Sequence, residues 1–341
     1  MRKLLPVLAL LACCSTAALG ANNITGSVRN QSRGEPAAGD KVILVQLDRA
    51  MQEEARAKTD AHGAFTLNVQ YPGKPYLVRV FHQGVSYDQQ GFAGQALSIQ
   101  VFDAATHVRS ITGTIEILRA RTNGNLLHVS DMVAIKNESS PPLTQAGERT
   151  FEVYLPANAK IDSVLAAGPG KMGVMIAATP VPGELGHYTV SFPLRPGATQ
   201  FAFNYDLPYD GHATSQTRYA YPLQQLAVMI PPTLKFSSRS PAFEILATGN
   251  GGYQVQAANQ LQAGEGPEFE VSGTGVLPPL GDQAKTRPPS QSLVLGGVTF
   301  VLLAACALLV WRARKARSFS AAHSIAPRAG HDNRPQPDCK L

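Results

Sequence analysis

Side chains able to do chemistry are sparse and scattered in residues 21–291. That segment holds six histidines, none within four residues of another: His62, His82, His107, His128, His187 and His212. It contains no His-Glu-x-x-His metal motif and no Gly-x-Ser-x-Gly nucleophile elbow, since Gly84-Val85-Ser86 is followed by Tyr87-Asp88. Gly168-Pro169-Gly170-Lys171 precedes Met172, where a P-loop has Ser or Thr, and we interpret it as a turn.

Cysteine is missing from the same segment. The four cysteines of the chain are Cys13, Cys14, Cys306 and Cys339. Thiol catalysis, thiolate metal sites and disulfides are therefore excluded from residues 21–291. A metal site built from histidines on distant strands is the weaker alternative. We predict a non-catalytic chain with no catalytic residues, no metal and no cofactor.

One tyrosine-rich stretch is the best binding candidate. Tyrosine beside polar groups suits protein or sugar recognition, because the ring offers flat area at low entropic cost. The candidate ligand-binding residues are Tyr209, Asp210, His212, Tyr219 and Tyr221. The competing interpretation is that these rings pack in the core or on a strand face. The sole tryptophan, Trp311, lies far from them, which weakens a sugar-binding platform.

The net charge of +6 belongs to the ends of the chain. Residues 21–291 hold 21 basic and 22 acidic residues, whereas residues 312–341 hold seven basic and two acidic ones. A folded surface that bound nucleic acid would carry an excess of positive charge itself. We therefore expect no nucleic-acid partner.

Both termini resemble targeting and anchoring segments. Arg2 and Lys3 precede an apolar run that ends at Ala18-Leu19-Gly20, which predicts a signal peptide over residues 1–20; lipidation at Cys13 is the alternative. Residues 292–311 are uncharged, long enough to span a bilayer, and followed by basic residues. We expect one transmembrane helix there, with residues 21–291 extracytoplasmic, either periplasmic or at the cell surface, and a basic, disordered cytoplasmic tail over 312–341.

The middle of the chain has the pattern of strands. Apolar and polar residues alternate between Gly-rich and Pro-rich turns, most clearly where Phe201, Phe203, Tyr205 and Leu207 share one face. The same period of two runs from Leu127 through Val129, Asp131 and Val133 to Ile135. A short helical turn around Ala50–Ala57 is the single exception. This pattern predicts an all-β protein with two β-sandwich domains.

The first domain, residues 22–105, resembles the carboxypeptidase regulatory-like, transthyretin-like family over residues 22–103. The resemblance rests on Gly26-Ser27-Val28, on Val42-Ile43-Leu44-Val45, and on the turn Thr59-Asp60-Ala61-His62-Gly63-Ala64-Phe65. In that turn we expect Asp60 to cap, Gly63 to take a positive φ, and Phe65 to enter the core. The family implies a β-sandwich in a carbohydrate-binding-like superfamily, and its motifs carry no catalytic residue.

The second domain, residues 106–274, is predicted as a larger immunoglobulin-like sandwich, with Thr106–Arg121 as a connecting strand and a Pro-rich stalk over 275–291. The whole chain resembles uncharacterised membrane-anchored bacterial envelope proteins. That resemblance implies the architecture and little of the mechanism. Our leading interpretation is a single-pass membrane protein that binds or scaffolds an envelope protein through sheet edges and loops. Carbohydrate binding is the alternative function, with a glycan as the partner, and a hydrolase ranks third.

Overall fold

Strands form all of the regular structure in the part of the chain that the computed structural model describes, namely residues 22–47, 51–216, 218–248 and 253–274. No helix within those ranges is long and apolar enough to cross a bilayer. The predicted signal peptide, stalk, transmembrane helix and tail lie outside the described residues, which begin at Asn22. The all-β prediction is confirmed for the described ranges.

Eight strands make the first sandwich, and they form two four-stranded sheets. In one sheet β1 pairs antiparallel with β2 and β5 and parallel with β8; the other has the order β4-β3-β6-β7. The strands are β1 (Asn23–Asn30), β2 (Glu35–Pro36), β3 (Lys41–Gln46), β4 (Gln52–Lys58), β5 (Ala64–Asn68), β6 (Tyr76–His82), β7 (Val85–Gly91) and β8 (Ala96–Val101). Their facing apolar side chains close one core that includes Ile24, Leu44 and Tyr76.

The predicted turn before β5 forms as its residues require. The Asp60 carboxylate accepts hydrogen bonds from the amides of His62 and Ala64, at 2.9 and 2.8 Å. Gly63 has φ +74°, and Phe65 is buried in the core. A Cβ on Gly63 would lie 2.3 Å from the Val28 carbonyl oxygen, so this position needs glycine both for its φ and for the close approach of β1.

The helical turn predicted around Ala50–Ala57 is wrong where the structure describes it. Residues Gln52–Lys58 form β4, which pairs antiparallel with β3 at the edge of its sheet. Glu, Ala and Arg favour a helix locally, but pairing with the buried strand β3 overrides that weak preference. The charged side chains of β4 then serve at the sheet edge, where charge discourages pairing with another chain.

The second sandwich is built on one eight-stranded sheet of order β15-β14-β18-β11-β10-β20-β23-β22. Two three-stranded sheets, β13-β17-β16 and β19-β24-β21, and the two-stranded pair β12-β9 complete it. The strands are β9 (Ala104–Ala105), β10 (Ile111–Asn123), β11 (Leu126–Asn137), β12 (Thr144–Gln145), β13 (Phe151–Tyr154), β14 (Lys160–Ala167), β15 (Val174–Ile176), β16 (Ala178–Pro180), β17 (His187–Val190), β18 (Gly197–Pro208), β19 (His212–Gln216), β20 (Leu223–Ile230), β21 (Leu234–Ser237), β22 (Phe243–Thr248), β23 (Gln254–Leu261) and β24 (Glu268–Gly273).

The small sheets pack on one face of the large sheet, which we call the inner face. The alternating residues of β18 lie on this face and are buried, as predicted. Phe201 stacks on Phe151 of β13 with ring centroids 4.6 Å apart, and Phe269 of β24 belongs to the same core cluster. β10, predicted as a connecting strand, instead lies near the centre of the large sheet between β11 and β20. The opposite, outer face carries more polar side chains.

A polar cluster around Asp103 lies at the end of the first sandwich, just before β9. The Asp103 carboxylate accepts hydrogen bonds from Asn30 Nδ2 at 2.7 Å, Arg33 Nε at 2.8 Å and Gln83 Nε2 at 2.8 Å. His82 lies between this carboxylate and that of Asp40, 3.2 and 2.9 Å away. The Tyr87 hydroxyl lies 2.9 Å from Thr144 Oγ1 and links the first sandwich to the second. The described residues form one compact unit around two separate apolar cores.

Candidate functional site

Three of the predicted binding residues line an open cleft where β18 turns into β19. Tyr209, Asp210 and His212 share this loop-end cleft, of about 510 Å³, with Asn125 and Asn158. Asn125 comes from the β10–β11 turn and Asn158 from the segment before β14, so three separate turns meet at this end of the large sheet. The lining offers amide, carboxylate and imidazole groups, which hydrogen bond to polar ligands.

Tyr209 contributes little exposed ring to that cleft. Its side chain is buried, and its hydroxyl donates a hydrogen bond of 2.6 Å to the Gly273 carbonyl. Burial, and then the charge of Asp210, raises the pKa of Tyr209. Asp210 and His212 are exposed and lie 3.1 Å apart through Asp210 Oδ1 and His212 Nδ1. The polar part of the predicted site is thus accessible, whereas its aromatic part is packed.

The remaining two predicted residues lie in a different place. Tyr219 is buried and Tyr221 is half-buried, and both line a narrow cavity of about 30 Å³ between the large sheet and β13. The Tyr221 ring stacks on Phe151, and its hydroxyl contacts Gln145 Nε2 at 3.1 Å. The sequence stretch that looked continuous is therefore divided between an open cleft and the core.

Two carboxyl groups at the base of that cavity were not singled out from the sequence. Glu116 on β10 and Asp131 on β11 are both buried on the inner face. Burial raises the pKa of Asp131 to about 7. Burial, and then the neighbouring Asp131, raises the pKa of Glu116 well above its ordinary value. Asp131 Oδ1 has no hydrogen-bond partner within the described part of the chain.

A signal for one of these acids was present in the sequence. Asp131 occupies an inward position of the alternation that runs from Leu127 to Ile135, and a carboxyl at such a position is unusual. Glu116 gave no such signal, because the pairing of β10 with β11 shifts register between Gly113 and Ile115. That irregularity reverses which side chains point inward, and local alternation does not reveal it.

The outer face of the large sheet carries a second polar cleft, which we call the arginine groove. It measures about 390 Å³ and is lined by Arg119, Arg121, His128, Val129, Ser130, Asp162, Asn204, Tyr205 and Asp206. The groove is set by β10, β11, β18 and the start of β14, which pair side by side. No sequence motif marks it, since its residues come from segments up to 87 positions apart, Arg119 to Asp206.

An exposed apolar edge is the third feature of the second sandwich. β15 pairs only with β14 in the described structure, so one side of β15 has no strand beside it. Met172, Val174 and Met175 are 80, 51 and 65% exposed there. The run 172–183 carries no charged residue. Natural edge strands are usually protected by charge, proline or bulges, and this one is left apolar.

Metal chemistry finds no support among the described residues, where no group of three or more His, Cys, Asp or Glu side chains could hold a metal ion. Glu116 and Asp131 supply only two carboxyl groups, and the six histidines remain dispersed over both sandwiches. His187, for example, is buried between Glu152 and Glu184 and stacks on Tyr154 with centroids 4.2 Å apart.

Comparison with known proteins adds little. No protein-family model matches the chain, and no curated protein matches it either. One solved structure it is similar to is a mutant M1 zinc metallopeptidase bound to a Tyr-Ser-Ala substrate, from Deinococcus radiodurans, at 12% identity and a TM-score of 0.30. The match covers 48% of this chain and 43% of the peptidase chain. A likeness of this size carries no functional argument.

Proposed function

We propose that this chain is a non-catalytic, membrane-anchored envelope protein that binds a protein partner through the free edge of β15. The observation that carries the proposal is the row of exposed apolar side chains at Met172, Val174 and Met175 beside an unpaired strand edge. Unpaired backbone N–H and C=O groups on such an edge can accept an additional strand, and neighbouring apolar side chains add buried area.

The opposite edge of the same sheet, formed by β22, is less suited to accepting a partner strand. Its edge strand β22 also exposes an apolar side chain, Ile245, at 81%. Pairing of β22 with β23 shifts register between Ile245 and Ala247, however. Such an irregularity bends the strand and discourages edge-to-edge pairing. β15 pairs with β14 without a register shift and is the better acceptor.

The expected partner is an extended apolar segment of another envelope protein. A charged strand would lie against residues 172–183, which offer no counter-charge. A folded partner with a polar surface would leave the exposed methionines and valine in water. Methionine suits such an interface, because its flexible, polarizable side chain adapts to different apolar neighbours.

The experiment compares the full-length chain with the double variant Val174→Lys/Met175→Lys as affinity bait. Two lysines at an edge should oppose strand addition while leaving the fold intact, because surface changes of this kind usually alter stability by less than about 0.5 kcal/mol. The matched control is Ile245→Lys, which adds a lysine to the other edge of the same sheet. Each bait is extracted in detergent, its partners are identified by mass spectrometry, and the strongest partner is purified for direct binding.

The proposal predicts that the purified partner binds wild type and Ile245→Lys equally and binds the double variant at least tenfold more weakly. Equal binding by all three baits would contradict it.

Carbohydrate binding is a second candidate, favoured by the loop-end cleft. Asn125, Asn158 and Asp210 provide hydrogen-bond donors and acceptors around an opening large enough for a sugar. A glycan array probed with the full-length chain tests it, with Asp210→Ala as the site variant and Glu138→Ala, at an exposed acid outside both clefts, as the control. A saturable signal lost only in Asp210→Ala would favour this function over strand binding.

A further inference from the structure

The arginine groove has an ordered arrangement of polar groups. Strand pairing places Arg119 opposite Ser130 and Ser130 opposite Asn204, which gives one row across β10, β11 and β18. The next row runs from Arg121 through His128 to Asp206. Directly paired residues share a face of a sheet, so all six side chains belong to the outer face. Strand register thus places six polar side chains side by side along the groove.

One guanidinium nitrogen in this groove, Arg119 Nε, is buried and lacks a hydrogen-bond partner within the described part of the chain. The Arg119 guanidinium lies over the Tyr253 ring, 5.5 Å from its centroid, which restricts its orientation. Arg121 lies two residues along the same strand, about 7 Å away, and is exposed. No ion pair of either arginine is formed among the described residues.

The acidic groups in the groove form no ion pair with these arginines among the described residues. Asp206 is engaged by His128 through a hydrogen bond between its Oδ1 and the imidazole Nδ1. Asp162 lines the groove and is exposed. Asn204 donates a hydrogen bond from Nδ2 to Ser163 Oγ at 3.1 Å, which leaves its amide oxygen as an acceptor. Donors from arginine thus lie beside acceptors from amide and carboxylate groups.

We propose that the arginine groove binds an acidic sugar, through an oxyanion at Arg119 and Arg121 and through hydroxyls at Ser130, Asp162 and Asn204. Guanidinium groups bind carboxylate and phosphate oxygens with paired hydrogen bonds. Sugar hydroxyls both donate and accept, which matches the mixed neighbours of the two arginines. The volume of about 390 Å³ suits a ligand of one or two rings. This site is separate from the β15 edge and does not depend on strand binding there.

The test uses three probes that share one hydroxyl pattern: glucose, glucuronate and glucose 6-phosphate. Binding to the full-length chain in detergent is measured by saturation-transfer NMR and by titration calorimetry. The site variants are Arg121→Gln, which changes an exposed side chain, and Arg119→Gln. The matched control is Lys136→Gln, which removes an exposed cation from β11 at the other end of the same face.

The expected result is that at least one anionic probe binds tenfold or more tightly than glucose. That preference is lost in Arg121→Gln and in Arg119→Gln and kept in Lys136→Gln. Preference for glucuronate identifies a carboxylate as the recognised group, and preference for glucose 6-phosphate identifies a phosphate. The proposal is overturned if all three probes bind alike, if none binds, or if the anionic preference survives both arginine substitutions. Loss of strand binding at β15 would leave these results unaffected, so the two proposals fail separately.

Discussion

Glu116 and Asp131 lie one diagonal step apart on the inner face of the large sheet, because Glu116 pairs with Val133 and Asp131 pairs with Leu118. Neither carboxyl forms an ion pair with a basic side chain in the described part of the structure. Burial raises the pKa of both groups, and that of Asp131 reaches about 7. The pair therefore holds protons in the folded state at a pH where the unfolded chain has released them.

This pair should make the folded state less stable as pH rises. Between about pH 4 and pH 7 the folded state binds more protons than the unfolded state, so the free energy of unfolding falls with pH across that window. Asp131→Asn keeps the shape of the side chain and removes the ionisable group at position 131. Relative to wild type, the free energy of unfolding of the variant should rise by a few kcal/mol between about pH 4 and pH 8. Urea unfolding of the full-length chain over that range measures it.

The exposed Asp162→Asn serves as the control for that experiment, because its carboxyl is exposed in the folded state. Removing this exposed carboxyl should change the free energy of unfolding by less than about 0.5 kcal/mol. A constant difference for Asp131→Asn would show that the buried pair does not titrate as the structure indicates.

Asp103 should have the opposite pH dependence. Burial alone would raise its pKa, but hydrogen bonds from Arg33, Asn30 and His82 outweigh burial and lower it to about 2. Its contribution to stability is therefore full above about pH 4 and is lost as pH falls towards 2. Asp103→Asn should cost about 1–3 kcal/mol at pH 7, the usual range for hydrogen bonds to a charged group, and much less at pH 2.

The control for Asp103 is Glu138→Gln, since Glu138 forms an exposed ion pair with Lys136. Exposed pairs contribute little, and we expect a change below about 1 kcal/mol at any pH. Unfolding monitored by tyrosine fluorescence distinguishes the two variants. Equal effects would contradict a structural role for the Asp103 cluster.

Alanine substitutions at Gly63 and Gly84 distinguish the cost of backbone strain from the cost of a steric clash. Both have a positive φ, +74° and +81°, but a Cβ added at Gly63 would lie 2.3 Å from a backbone oxygen, whereas one added at Gly84 would face open space. Gly84→Ala should cost about 1–2 kcal/mol, the cost of the left-handed conformation. Gly63→Ala should cost more, because β1 must also move away. Thermal unfolding of each variant tests this order, and equal losses would contradict it.

Alternation in the sequence was sufficient to predict the strands whose two faces differ. β18 and β11 have one apolar face, and the structure buries the predicted residues on both. The turn from Asp60 to Phe65 was also predictable, since each of its residue types has a local conformational role. β7 carries little alternation signal, because only Val85 and Tyr87 supply large apolar side chains and the strand continues with polar residues.

The candidate sites were less predictable than the strands. Side chains that meet by cross-strand register, such as Arg121, His128 and Asp206, are far apart in sequence, and register is set by the whole sheet. The tyrosine-rich stretch illustrates the converse, because Tyr209 and Tyr221 are close in sequence but line different cavities. Residues that are close in sequence can therefore lie in separate parts of the sandwich.

Photo-crosslinking from the β15 edge tests the central claim most directly. A benzophenone amino acid replaces Val174 in the full-length chain in the cells that produce it, and a second chain carries the same group at Ile245. Strand binding at β15 predicts one defined protein adduct from position 174, absent from position 245 and lost when Met175→Lys is added. No adduct at position 174, or the same adducts from both positions, would contradict the account.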